Sequence, residues 1–102
     1  MVTKPIADIA LSLGLSEEEL YRQAMLSLLY EKKRQLLQQK LELLARYGID
    51  TVEELETKIA EGVVNEHPAW EDLIVAENII VRLEELNVYI ENLQYPGNSR
   101  SE

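Results

Sequence analysis

The 102-residue sequence has no cysteine and no phenylalanine, and it has only four glycines, three prolines and one histidine. Without cysteine, the chain can form neither a disulfide framework nor a thiolate metal site. The scarcity of glycine and the abundance of Leu, Glu, Lys, Gln, Ala and Ile favour helix over sheet. No apolar run approaches the length of about 18 residues that a membrane-spanning helix needs, and no signal-peptide pattern is visible. We therefore expect an all-α, cytoplasmic protein that does not enter a membrane.

Motifs for catalysis are also missing. The only histidine is His67, there is no Gly-x-Ser-x-Gly turn, and the four isolated glycines form no phosphate-binding loop. A metal site could be imagined where His67 stands near Glu66, Glu71 and Asp72, but one histidine with unconstrained carboxylates seldom holds a metal. We expect no catalytic residue, no cofactor and no enzyme activity. A small metal-binding helical bundle is kept as an alternative from another class.

The charge of the chain is unevenly distributed. The formal net charge is -9; residues 16–47 hold five acids and six bases, whereas residues 48–94 hold twelve acids and two bases. The first segment therefore sums to +1 and the second to -10. A strongly acidic chain is a poor direct binder of nucleic acid, because contacts to phosphates supply that affinity. Its field would instead steer the approach of a basic protein, which is the partner we expect.

Helix start and stop signals divide the chain into two short and two long helices. The start signals are prolines at a first helical position or capping-box patterns, and they stand at Pro5, Ser16–Glu19, Thr51–Glu54 and Pro68. The stop signals are glycine or proline with glycine, and they stand at Gly14, Gly48, Gly62 and Pro96–Gly97. We predict a short helix and loop over 1–15, a helical-hairpin domain over 16–94 with the second short helix in its loop, and a flexible tail over 95–102.

The first long helix would be about 45 Å long, and this length invites a long antiparallel partner, so we expect the two long helices to lie antiparallel. A chain of this length has limited capacity to bury apolar surface alone. We therefore predict a homodimer in which two hairpins form a four-helix-like bundle.

The first long helix carries a broad apolar arc with two lysines in its middle, Lys33 and Lys40. Their stems could cover apolar surface while the ammonium groups reach water. Alternatively, the lysines could meet acids from another helix and fix its register. The apolar members of the arc are Leu26, Leu29, Leu36, Leu37, Leu43, Leu44 and Tyr47.

The last helix carries a coiled-coil-like seam that includes one polar residue, Asn87. Such a residue can specify register and oligomeric state, or it can simply lie at the wet end of the seam. The seam residues alternate at spacings of three and four, and they are Leu73, Ala76, Ile80, Leu83, Asn87 and Ile90, widened by Ile79, Leu86 and Leu93.

A second apolar stripe on the last helix repeats every seven residues, and a hairpin cannot easily bury both stripes. We hypothesise that one stripe faces the first long helix and the other faces a second subunit or a different protein; alternatively, the short helices cover it. Trp70 is a further candidate anchor, since aromatic residues are common at interfaces. The predicted interface residues are Trp70, Ile74, Val81, Asn87 and Val88. The possible interhelical charges are Lys33, Lys40, Glu77, Glu84 and Glu91.

Several short segments also carry a family resemblance. They are Ser16-Glu17-Glu18-Glu19-Leu20, Tyr30-Glu31-Lys32-Lys33, Tyr47-Gly48-Ile49, Val52-Glu53-Glu54-Leu55 and Trp70-Glu71-Asp72. Over roughly residues 16–93 the chain resembles small helical proteins of archaea and bacteria, many of them uncharacterised and some of which look like antitoxins encoded beside a small toxin. The resemblance implies a protein that neutralises a toxin through a helical surface. Unlike many antitoxins, this chain has no recognisable DNA-binding segment.

The leading expectation is thus a non-catalytic helical module for protein–protein interaction, most concretely an antitoxin-like neutraliser of a basic partner protein. The first alternative is a structural subunit or assembly factor that acts through self-association.

Overall fold

The computed structural model describes residues 5–95 and places them in four α-helices, with no strand in that part of the chain. The helices are α1 (Pro5–Leu13), α2 (Glu17–Ala45), α3 (Val52–Ala60) and α4 (Glu66–Gln94). The prediction of an all-α hairpin with two long and two short helices is confirmed. The predicted stop at Pro96–Gly97 and most of the predicted tail lie outside the described residues.

The molecule is elongated because α2 and α4 lie side by side along most of its length. Each of these helices has 29 residues, which corresponds to a length of about 44 Å. The radius of gyration is 19.9 Å, whereas a compact domain of this size would have about 13 Å. Within residues 5–95, no helix is both long and apolar enough to cross a membrane.

Two of the helices begin with side-chain caps that the sequence predicts. At α3 the capping box is complete, since Thr51 accepts a bond from the Glu54 amide and the Glu54 carboxylate accepts one from the Thr51 amide. At α2 only half of it forms: the Ser16 hydroxyl accepts a bond from the Glu19 amide at 3.0 Å. The Glu19 carboxylate instead accepts bonds from Arg22 on the next turn, where it helps to fix the open end of the hairpin.

The turn after α2 depends on Gly48, whose φ of +68° is a left-handed conformation. The Ile49 amide donates to the Leu44 carbonyl at 3.2 Å, and the Gly48 amide donates to the Ala45 carbonyl at 3.0 Å. This pair of bonds closes the helix and sends the chain back toward α3. Ile49 is buried directly after the turn, so the turn also delivers an apolar side chain to the core.

The start of α4 contains a break at His67, which is extended with φ -114° and ψ 128°. A residue before proline is pushed toward extended geometry by contact with the proline ring. The regular helix therefore begins at Pro68, which is the predicted first position.

The hydrophobic core lies at the closed end of the hairpin, where α3 packs against α4 and the C-terminal end of α2. On α2, only Leu43 and Leu44 are buried among its 29 residues. The rest of α2 has α4 on one side and contacts α1 near its start. The open end therefore has a much thinner core than the closed end. The buried cluster consists of Leu43, Leu44, Ile49, Val52, Leu55, Ile59, Ala69, Leu73 and Ala76.

Candidate interaction surfaces

The seam of α4 against α2 follows a seven-residue repeat. One row consists of residues seven apart, and these are Ala69, Ala76, Leu83 and Ile90. A second row contains Ile79 and Leu86, also buried, with Leu93 half-buried. Hydrogen bonds join the two helices at both ends. The Tyr47 hydroxyl donates to Asp72 at the closed end, and Arg22 Nη1 donates to the Leu93 carbonyl at 3.2 Å at the open end.

Asn87 does not lie in this seam, and its placement there is wrong. Its side chain is exposed, and Leu86 is the buried residue at that level. The apolar face of α4 is wide enough for two neighbouring rows of residues: one contains Ile80 and Asn87, and the other contains Ile79 and Leu86. At the closed end α3 covers both, because Leu73 belongs to the core and Ile80 packs against it. The core cluster extends along α4 only as far as Ala76 and Ile80, and at the level of Asn87 the buried residue is Leu86. Whether Asn87 serves an interface with another chain stays a prediction.

The second stripe of α4 is the clearest candidate surface, and we call Ile74, Val81 and Val88 the outer row. These residues have exposed fractions of 52%, 54% and 53%. Val81 is five residues after Ala76 and two after Ile79, so at about 100° per residue it points away from the seam. Neither α1 nor α3 covers the outer row. The alternative in which the short helices bury it is therefore wrong within one chain.

Glutamates line both sides of the outer row. Glu77, Glu84 and Glu91 follow one side at the same spacing of seven, and all three are exposed. Glu71 and Glu85 stand on the other side. The base on this face, Arg82, donates to Glu85 at 2.9 Å. The face therefore joins an apolar strip to a high density of negative charge.

Trp70 extends this surface toward the start of α4. It is about half exposed, and it stands one turn before Ile74. His67 Nδ1 lies 3.0 Å from the carboxylate of the neighbouring Glu71. A bond to its own backbone amide, and then the one to His67, hold the pKa of Glu71 below its usual range. Among residues 5–95, no group of three or more His, Asp or Glu residues is arranged to hold a metal ion.

The two seam lysines lie in the middle of the hairpin, half-buried. The antiparallel register defined by the Tyr47–Asp72 and Arg22–Leu93 bonds places Lys40 roughly level with Glu77. The same register places Lys33 roughly level with Glu84. In the described part of the chain neither lysine makes an ion pair within 4.0 Å. The geometry agrees with stems that cover apolar surface, and pairing with acids of another chain stays a prediction.

An apolar groove at the open end of the hairpin was not predicted from the sequence. The groove has a volume of about 400 Å³. It lies beside the seam, and Tyr21, which is also exposed, stands one turn before Met25 on the same flank of α2. The spacing of Tyr21, Met25 and Leu28 was the available signal, but it lies outside the arc that forms the seam. The lining residues are Met25, Leu28 and Leu29 of α2 and Tyr89, Asn92 and Leu93 of α4.

No curated protein sequence and no solved structure matches this chain. A family model described as "Uncharacterized protein MJ0235 family" matches residues 1–97. That description names no toxin and no partner, so the antitoxin part of the resemblance gains no support from it. Because the match spans nearly the whole chain, the protein belongs to the MJ0235 family.

Proposed function

We propose that this protein is a non-catalytic interaction module that binds a basic helix of another protein along the outer row of α4. The observation that carries the proposal is the outer row itself: three β-branched residues, seven apart and half exposed, on the side of α4 that faces away from α2. In a hairpin that acted alone, this side would face only water, and polar residues would be expected there.

The size of the apolar contribution indicates what else the partner must supply. Burying a Val or Ile side chain completely contributes about 1.5–3 kcal/mol, so burying the remaining halves of three side chains contributes about 3 kcal/mol. Association costs at least about 4 kcal/mol in lost freedom of motion. The outer row is therefore insufficient by itself. Trp70, at the start of the same surface, is suited to be the anchor that adds the missing contact area.

The charges around the outer row select the class of partner. Glu77, Glu84 and Glu91 on one side, with Glu71 and Glu85 on the other, would repel a second α4 placed against the same row. A helix with apolar residues at the matching spacing and Lys or Arg on both flanks would be attracted, and its approach would be accelerated. A small basic toxin with such a helix would make the protein an antitoxin-like neutraliser, which is the most specific form of the proposal.

A synthetic peptide pair tests the charge and the position of this surface. One peptide is a three-heptad amphipathic helix with leucine on one face and lysine on its flanks; its twin carries glutamate on the flanks. We expect the lysine peptide to bind the full chain, with an affinity that falls as salt rises, and the glutamate peptide not to bind. Val81→Glu should weaken binding about tenfold or more, since it buries a charge against an apolar face.

Leu41→Glu provides the matched control, because Leu41 is an exposed apolar residue of α2, away from the outer row. Its exposed fraction is 58%, against 54% for Val81. Binding of both peptides alike, or an equal loss in the two variants, would refute the proposal. A pull-down from the source cells with the same three proteins then identifies the natural partner, which should be basic and should be lost with Val81→Glu alone.

A second candidate function is that of a structural subunit acting through self-association. The apolar groove at the open end favours it, because three of its six lining residues come from α2, which lies in the nearly neutral segment 16–47.

A further inference from the structure

We infer that the exposed stripe Tyr21, Met25 and Leu28 of α2 is the contact with a second copy of this chain, in which the two α2 helices run antiparallel and cross near Met25. This surface is on a different helix from the outer row of α4. The inference therefore deepens the second candidate function, self-association, and stands or falls independently of the proposed partner site on α4.

The third packing element at the open end is the short helix α1, in which only Ala10 is buried. The accessible surface of the chain is 7541 Å², whereas a compact protein of 11.7 kDa exposes about 5,900 Å². The excess is about 1,600 Å², and a stable interface takes about 800 Å² from each partner. The chain as a whole thus has enough uncovered surface for a dimer.

The groove gives this surface its shape. Met25, Leu28 and Leu29 form one wall, and Tyr89 and Leu93 form the other. A helix laid along the Tyr21–Leu28 stripe would place its own apolar side chains in this groove. With the same stripe on both copies, the contact is self-complementary, as a two-fold symmetric dimer requires.

The charges at the two ends of the stripe also complement each other. Glu18 precedes Met25 by seven residues and Lys32 follows it by seven, so each lies about 10.5 Å from Met25 along the same row of α2. When two such helices run antiparallel with Met25 against Met25, Glu18 of each copy is level with Lys32 of the other. The crossing therefore brings two pairs of opposite charge together.

The rest of the chain supports α2, not α4, as the self-association surface. Residues 16–47 carry five acids and six bases, whereas residues 48–94 carry twelve acids and two bases. Contact between two copies of the acidic half would bring like charges together. Contact between two copies of α2 would not.

Sedimentation equilibrium of the full chain tests the inference, with circular dichroism to verify that each variant keeps its helix content. We expect the unmodified chain to be a dimer at micromolar concentration. Leu28→Glu should make it a monomer, while Leu41→Glu should leave the dimer intact. These two leucines lie on opposite flanks of α2, and each has an exposed fraction of 58%. Val81→Glu should also leave the dimer intact, which separates this surface from the proposed partner site.

A charge exchange tests the antiparallel register. Glu18→Lys alone and Lys32→Glu alone should each raise the dimer dissociation constant about tenfold, because each replaces two attractive pairs with two repulsive ones. The double variant Glu18→Lys with Lys32→Glu should restore the dimer. A monomeric unmodified chain, equal effects of Leu28→Glu and Leu41→Glu, or failure of the double variant to restore association would each overturn the inference.

Discussion

The hydroxyl of Tyr47, just beyond the end of α2, donates a hydrogen bond to the carboxylate of Asp72 in the first turns of α4. The Asp72 side chain is only 15% exposed, and its other contact is Arg46 Nη1 at 3.5 Å. The bond therefore satisfies a largely buried carboxylate and joins the two long helices directly above the core. It defines the closed end of the hairpin.

Removing this bond should weaken the whole fold. Tyr47→Phe keeps the ring but leaves Asp72 without its shortest contact, and bonds to a charged group contribute about 1.5–3 kcal/mol. Because Arg46 can compensate in part, we expect the free energy of unfolding to fall by about 1–2 kcal/mol, with a fall in Tm of about 5–10 °C. Thermal unfolding measures this. Tyr21→Phe, at a hydroxyl with no hydrogen bond in the described part of the chain, should change Tm little; an equal change would contradict the account.

The same bond should make stability sensitive to alkaline pH. Burial, and then the bond to Asp72, raise the pKa of Tyr47 to about 12 from its usual value of 10.0. The unfolded chain ionises this tyrosine first, so the contribution is fully present below pH 10 and is lost as the pH rises toward about 12. The Tm difference between the unmodified chain and Tyr47→Phe should therefore shrink across that window. A constant difference from pH 9 to pH 12 would show that the hydroxyl is not responsible.

Arg22 should hold the open end of the hairpin together. Its guanidinium donates to the Glu19 carboxylate, at 3.0 Å from Nε to Oε1, and to the Leu93 carbonyl of α4 at 3.2 Å. Lysine cannot make both contacts in this forked geometry. Arg22→Lys should therefore speed amide hydrogen exchange over the last turn of α4, before Tyr95, while leaving the closed end unchanged.

Arg34→Lys is the matched control for this experiment. Arg34 makes the same kind of pair with Glu31 on the following part of α2, at 3.1 Å from Nε to Oε1, but it has no bond to α4. Arg34→Lys should leave amide hydrogen exchange in α4 unchanged. If both variants loosened the end of α4 equally, the bond to Leu93 would not be what holds it.

Acid should weaken the pair between Arg22 and Glu19 at the open end. Bonds from Arg22, and then from Gln23, lower the pKa of Glu19 to about 2 from 4.5. Its contribution to stability is therefore present above about pH 4.5 and is lost as the pH falls toward 2. Glu19→Gln should be less stable than the unmodified chain at pH 7, with the difference shrinking in acid. Glu17→Gln, whose carboxylate accepts no side-chain hydrogen bond in the described part, should show no such trend in urea titrations across this pH range.

The positions of the helices could be predicted from the sequence better than which residues of each helix are buried. Caps such as Thr51 with Glu54, and stops such as Gly48, are local signals, and the structure places helix ends next to both. The exposure of Asn87 could not be predicted from local signals of this kind. The choice between the registers of Asn87 and Leu86 depends on how far α3 extends over α4, and this depends on packing between segments distant in the sequence.

Of the two candidate surfaces, one could be predicted from the sequence and the other could not. The outer row was visible because its spacing of seven keeps Ile74, Val81 and Val88 on one side of a helix. The groove near Met25 was not visible, because it exists only where α2 and α4 meet. Periodicity within one helix cannot report which neighbouring helix supplies Tyr89 as the second wall.

Lys40 offers a test of how the seam tolerates charge. Its half-buried stem lies within one turn of Leu36, Leu43 and Leu44, and no acid lies within ion-pair distance in the described part of the chain. If the stem supplies the stabilisation, Lys40→Met should keep or raise the free energy of unfolding, because it keeps a long apolar side chain. Lys40→Ala should lower it by about 1 kcal/mol, since it removes about one to two buried methylene groups.

Gln38, exposed on the same helix, serves as the reference position for this pair of changes. Gln38→Met and Gln38→Ala should each stay within about 0.5 kcal/mol of the unmodified chain in urea titrations. If Lys40→Met cost as much as Lys40→Ala, the ammonium group would be the stabilising part. Glu77, which is level with Lys40 across the hairpin, would then be its partner. A double-mutant cycle of Lys40→Met with Glu77→Gln would measure that coupling, because the two losses would no longer add.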